Sequence, residues 1–244
     1  MRIPTKTIAV GAVTAALALT SAYADTAPIC GDVNVNGQVQ ASDALLVLKK
    51  AVGQPVDLMC ASSALLLKTG ETTSFGPGSD GSLQAGVPRS LTDNGDGTIT
   101  DHATGLMWEK KDQGGSVHDV DLFFTWTSGS TLMDGTMVTE FLELVNEDAG
   151  FAGYTDWRIP NQFELFSILD FGEANPSVPA EFDTNCNDPC TYATCSCTRS
   201  DYHWSSTSVE ELPGKARSLS FGDGATEHAP KGASLSLRAV RNAW

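Results

Sequence analysis

The chain has 244 residues, with 15 Lys and Arg against 30 Asp and Glu, so its formal charge is −15. Such an acidic chain is unsuited to neutralising phosphates, which excludes nonspecific nucleic-acid binding and disfavours anionic membrane surfaces. A hydrophobic fraction of 41% supplies a real core and argues against global disorder, and the length allows one or two domains.

Residues 1–24 read as a signal peptide. Met1 to Lys6 form a short basic stretch, Ile8–Leu19 an apolar run, and Ala22-Tyr23-Ala24 a small-x-small cleavage site. The run is too short to span a bilayer, and no later stretch is long and apolar enough, so no membrane span is expected after signal removal. Cleavage before Asp25 removes Arg2 and Lys6 and leaves 220 residues at a net charge of −17. The expected location is extracellular, periplasmic or at the cell surface.

Residues 25–60 read as a small calcium-binding module. Asp32, Asn34 and Asn36 recur at every second position, Gly37 follows, and Asp43 falls at the twelfth position. Calcium takes six to eight hard oxygens, and this spacing lets three side chains converge on one point. Gly37 permits the sharp turn, Gln38 offers its backbone carbonyl, and Asp43 closes the shell from the first turn of a helix. That helix is expected from Ala44 to Val52, stopped by Gly53 and Pro55. The segment Gly31–Pro55 resembles one repeat of a type I dockerin, a family that closes its loop with Asp. The resemblance implies bound Ca2+ and a protein partner docked through the segment.

Six cysteines in an exported chain predict disulfides. Cys30 and Cys60 bracket the small module and are expected to pair. Cys186, Cys190, Cys195 and Cys197 follow C-x3-C-x4-C-x-C, which matches no zinc-knuckle spacing. Cys195 and Cys197 are too close to bond each other comfortably, so each is expected to bond Cys186 or Cys190.

Residues 61–90 are rich in Gly, Ser and Thr and read as a linker or irregular lead-in to a domain over 91–244. Asp93-Asn94-Gly95-Asp96-Gly97 separates two short β-prone runs, which predicts a hairpin turn rather than a second calcium loop. An amphipathic pattern predicts a helix over 137–147, with Phe141, Leu142, Leu144 and Val145 on one side. A second helix is expected over about 162–170, with Asn161 as N-cap and Glu164 completing a capping box. Strands are expected around 202–207, 216–221 and 235–240. The expected class is α+β, with a mainly antiparallel sheet and two helices.

Five motifs then occur in order. They are Asp96–Asp101 with Thr104-Gly105-Leu106-Met107-Trp108, Asp156–Asn161, Glu164-Leu165, Trp204–Thr207, and Arg238–Arg241. Together they resemble the DUF1566 family, the Lcl C-terminal domain of a collagen-like bacterial adhesin. Cys195-Ser196-Cys197-Thr198 resembles a bridged insertion of one branch. His203 departs from the pattern, which has an aromatic beside Trp204, and so does the ending Asn242-Ala243-Trp244. The resemblance implies a C-type-lectin-like fold, kinship with formylglycine-generating enzymes, and a surface binding module with carbohydrate as ligand. The sulfated polyanions associated with the adhesin are not carried over, because a chain at −17 repels them.

Trp108, Trp157 and Trp204 could stack on sugars, but they sit among strand and helix signals and are expected in the core. Arg158, Arg238 and Arg241 could clamp a carboxylated ligand and are expected instead to pair with internal acids. No nucleophile elbow, metalloprotease, P-loop or dinucleotide motif occurs, and His102, His118, His203 and His228 are scattered. The expected function is a secreted or surface-exposed carbohydrate-binding or adhesion protein, not an enzyme. Calcium-dependent protein docking without glycan binding is the alternative.

Overall fold

The computed structural model describes residues 41–52, 66–187 and 189–244. Residues 1–62 and 63–244 form two separate compact units. In the first unit, helix α1 spans Ala41–Ala51. It begins three residues before the helix expected over 44–52 and ends one residue short of it, so Asp43 falls in its first turn. The leader, Cys30, Asp32, Asn34, Asn36, Gln38 and Cys60 lie outside the described residues.

The second unit mixes short helices with antiparallel strands. Residues 66–90 carry α2 (Asp80–Leu83) and pack onto the rest of the unit. Leu67 bridges Val87, Phe171 N–H donates to Thr69 O at 2.7 Å, and Arg89 lies 3.5 Å from Asp170. A four-stranded sheet follows, built from β1 (Leu91–Asp93), β2 (Thr98–Asp101), β3 (Leu106–Glu109) and the C-terminal strand Val240–Asn242, in that order. The segment between β1 and β2 is the expected hairpin turn. Gly95 and Gly97 adopt φ of 76° and 97°, which L-residues with a Cβ disfavour. Asp93 accepts from Gly95 N–H at 2.9 Å and Asp96 from Thr98 N–H at 3.1 Å, so both carboxylates serve the turn itself.

β3 is buried on both faces. Alternation along the strand sends Met107 into one apolar cluster with Trp126, Phe141, Trp157 and Trp204. It sends Leu106 and Trp108 into a second, with Ile99, Leu165, Phe182 and Phe221. The tryptophans of the motifs are therefore core, as expected. Trp204 Nε1 donates to Phe124 O at 2.7 Å, Trp126 Nε1 to Ser205 O at 3.0 Å and Trp157 Nε1 to Phe151 O at 3.0 Å. Trp244 is 79% exposed.

β4 (Phe124–Thr125) precedes the first predicted helix. That helix is a π-helix over Met137–Leu142 that continues as α3 (Glu143–Asn146). Phe141 and Val145 point inward, but Leu144 is 53% exposed. The wider π turn shifts the apolar stripe away from the α-helical register. The second predicted helix is α4 (Gln162–Ser167), three residues shorter than expected at its C-terminal end. Beyond it Ile168 and Leu169 leave the helix and enter the second core cluster.

A three-stranded sheet of β5 (Tyr202–Ser208), β6 (Lys215–Ser220) and β7 (Thr226–Pro230) follows. The expected strand over 235–240 is two pieces, β8 (Ser234–Leu235), which pairs with β4, and β9 (Val240–Asn242), the fourth strand of the first sheet. Between them Ala239 N–H is taken by the Glu109 carboxylate at 2.8 Å, so a side chain replaces a ladder partner.

The four described cysteines pair as Cys186–Cys197 and Cys190–Cys195. Both bonds agree with the expectation that Cys195 and Cys197 each reach back to an earlier partner. No helix among the described residues is long and apolar enough to cross a membrane.

Candidate functional site: a cleft along helix α4

α4 is fixed before it is functional. Asn161 Oδ1 accepts from Phe163 N–H at 2.9 Å and Glu164 N–H at 3.0 Å, while Glu164 Oε2 accepts from Asn161 N–H at 2.7 Å. This is the predicted capping box, worth about 1 kcal/mol at the cap. Arg158 clamps Glu164 bidentately at 2.8 and 2.6 Å. Thr207 of β5 accepts from Gln162 N–H at 3.1 Å, and Ser206 N–H donates to Pro160 O at 2.8 Å. Leu165 is fully buried in the core. With that residue facing inward, the helix turns Phe163 and Phe166 outward.

Phe163 is 83% exposed and, with the partly exposed Phe166 and Phe171, belongs to an apolar surface patch. It stands at the edge of a cleft of about 420 Å³ lined by Gln162, Phe166, Thr207, Arg217 and Thr226. A second cleft of about 410 Å³ shares the two rings and is also lined by Leu66, Arg89 and Phe171. Both volumes fall in the range of small-molecule sites. Gln162 is only 7% exposed, and neither its Nε2 nor its Oε1 has a hydrogen-bond partner. A buried unpaired polar group costs about 1–3 kcal/mol. Gln162→Met, which keeps the shape and removes both groups, is therefore expected to raise stability by about 1–2 kcal/mol. Thermal unfolding checks this, and an unchanged or lowered Tm would show that the amide is satisfied.

The residues singled out in the sequence are placed elsewhere. Arg158 serves the cap. Arg241 Nε lies 2.6 Å from Asp156 Oδ1 and its guanidinium stacks 3.8 Å over Tyr154. Arg238, expected to pair with an acid, is instead fully buried on oxygen atoms of the main chain and a hydroxyl. It donates to Glu109 O at 2.7 Å, Cys197 O at 2.6 Å and Thr198 Oγ1 at 2.7 Å. Burial pulls its guanidinium down to about 10, against the pull of Glu109 and Asp183. Glu109 is also fully buried, with Lys111 Nζ at 2.9 Å and His118 Nδ1 at 2.7 Å from Oε1. Burial pushes its carboxyl up, but Lys111, His118 and the Ala239 N–H together outweigh that and hold it at about 2. This network is sealed in the protein and joins β3, the disulfide segment and the C-terminal strand. Among the described residues, the group of metal-binding side chains that converges is Cys190, Cys195 and Cys197, and its sulfurs are committed to disulfides.

The family model of the Lcl C-terminal domain matches residues 97–241. The chain belongs to the Lcl C-terminal domain family. A comparison with curated proteins finds none that matches. The motifs of the Lcl C-terminal domain are scaffold here. Asp101 accepts from Ala103 N–H at 2.9 Å in the β2–β3 turn, Asp156 and Arg158 hold ion pairs, and Ser205 Oγ donates to Arg217 O at 2.8 Å. Gln162, Phe163, Phe166, Arg217 and Thr226 lie between the motifs. Sequence reading missed them for that reason. The signal available was the pair Phe163 and Phe166 flanking the core residue Leu165 on a capped helix.

Proposed function

We propose that the chain is an exported carbohydrate-binding or adhesion protein whose Lcl C-terminal domain takes glycan in the α4 cleft. The observation that carries this is the exposed Phe163 ring beside the unpartnered Gln162 amide. An aromatic face packs on the apolar face of a sugar ring, and an amide offers one donor and one acceptor to its hydroxyls. The mixed α+β architecture with short antiparallel strands supports a C-type-lectin-like kinship. Two disulfides and the leader over 1–24 support export. The segment 25–60 is a dockerin-like calcium module, with Asp32, Asn34, Asn36, Gln38 and Asp43 as ligands.

The test is a glycan array probed with the mature protein in calcium and again in chelator. Hits in both conditions are expected, because the cleft lies within residues 63–244. An empty array would overturn glycan binding. For the small module, calorimetry is expected to count one calcium per chain, lost in Asp32→Ala. Unchanged stoichiometry in the variant would sink the loop assignment.

Protein docking through the small module is a second reading. It is favoured by α1 and its C-terminal end, where Leu45, Leu48 and Val52 are exposed at positions i, i+3 and i+7. An apolar helix face of this kind suits a groove on a partner.

A further inference from the structure

Resting on the reading of the α4 cleft as a glycan site, we propose that the cleft takes a saccharide unit bearing a single carboxylate, a hexuronic acid. Arg217 would hold that carboxylate.

The argument starts from the arginines. Arg89 pairs with Asp170, Arg158 with Glu164, Arg199 with Asp121 and Asp201, and Arg241 with Asp156. Arg238 is buried on carbonyl and hydroxyl oxygens. Among the described residues, Arg217 is the arginine that is exposed and has no acid beside it. This is notable in a chain where acids outnumber bases 30 to 15. Its polar neighbour is His228, whose Nε2 lies 3.3 Å from Nη1, directly across the β6–β7 pairing. The cleft therefore holds a cationic spot with no internal counter-charge.

A guanidinium is a planar fork that matches a carboxylate with two parallel hydrogen bonds. Gln162, in the same wall, adds an amide with both ends free. Once its side chain turns toward the cleft, two neighbouring ring hydroxyls can satisfy it, one donating to Oε1 and the other accepting from Nε2. Phe163 at the rim offers a face to the ring. Carboxylate, paired hydroxyls and an apolar ring face coexist on a hexuronic acid. The remaining charge sets the limit on size. Beyond about 8 Å salt screens the acid-rich surface, so one carboxylate held at Arg217 responds mainly to that guanidinium. A polyanion laid along the protein would meet the surplus acids.

The test is calorimetry on the full mature chain in calcium, using hexuronic acid trisaccharides, their carboxyl-reduced counterparts and sulfated counterparts of the reduced sugars. The acidic trisaccharide is expected to bind at least about tenfold tighter than the reduced one. Arg217→Gln is expected to erase that difference with Tm unchanged, and Arg217→Lys to restore part of it. Phe163→Ala is expected to weaken the acidic and reduced members alike, by about tenfold. Equal or tighter binding of the reduced sugar, preference for the sulfated one, or a difference that survives Arg217→Gln would each overturn the proposal. Array hits confined to neutral sugars would also overturn it while leaving the glycan reading intact. No binding by any trisaccharide together with an empty array would remove both.

Discussion

Glu109→Gln is expected to destabilise the Lcl C-terminal domain by about 3–5 kcal/mol, the loss that follows when one partner of a buried ion pair is removed. The carboxylate sits at the end of β3 with no solvent contact. Lys111 lies against it at 2.9 Å and His118 at 2.7 Å, and Ala239 N–H donates to its other oxygen at 2.8 Å. Lys111 is itself buried, over the ring of Phe141 at 4.3 Å, and Arg238 is buried nearby. Glutamine keeps the volume and one acceptor oxygen. It loses the charge, leaving buried Lys111 and Arg238 with only the weaker pull of Asp112 and Asp183, and its amide hydrogens face groups that already donate. Natural domains hold only about 5–15 kcal/mol in total, so the change takes a large share of stability. Urea unfolding measures it. The double variant Glu109→Leu with Lys111→Met separates charge from shape. Replacing the pair by apolar groups of similar size is expected to recover most of the loss. A single variant within about 1 kcal/mol of the parent would show that the pair is hydrated and weak.

What the sequence made legible were features whose physics is local. The α4 cap was readable because Asn161 and Glu164 stand three apart before an apolar run, and both hydrogen bonds form. The 93–97 turn was readable because positive φ falls on glycines. Trp108, Trp157 and Trp204 were readable as core because strand and helix signals surround them. The rest depends on partners distant in the chain. β7 reads Thr226-Glu227-His228-Ala229-Pro230, polar except for buried Ala229 and closed by proline. An edge strand of this kind has almost no period-two signal. Residues 66–90 look like linker by composition, yet main-chain hydrogen bonds hold them to the domain. Arg238 was misjudged and Arg217 was passed over, for opposite reasons. The first stands inside a family motif and is satisfied by carbonyls rather than by an acid. The second stands outside every motif, and only the cross-strand register reveals that no acid faces it.

Stability is expected to fall as pH drops from about 6.5 to about 4.5, with a slope near 1.4 kcal/mol per pH unit, and His203 is the cause. Its ring is 2% exposed and stands 4.7 Å from Phe221, edge to face. Burial lowers its pKa from 6.5 to about 3; the hydrogen bond to Asp201 O pulls the other way, while Arg238 and Lys111 reinforce the lowering. In the unfolded chain the ring takes a proton below about 6.5, but the folded protein refuses it until about 3. Between these limits the unfolded state binds more protons, so acid favours unfolding. Glu109 acts in a lower window. Its folded pKa of about 2 lies below the ordinary 4.5, so its contribution is complete above 4.5 and disappears as pH falls through 2. The decline between pH 6.5 and 4.5, about 2–3 kcal/mol, therefore belongs to the imidazole. His203→Phe isolates it. The variant places an apolar aromatic ring beside Trp204 and removes the titration. It also removes the hydrogen bond to Asp201 O, which is a constant offset that pH does not change. Urea unfolding at pH 7.5, 6.0 and 4.5 is expected to show a sloping parent and a nearly flat variant. Parallel lines for the two proteins would mean that the acid sensitivity arises from another group, and that the pocket around residue 203 admits charge.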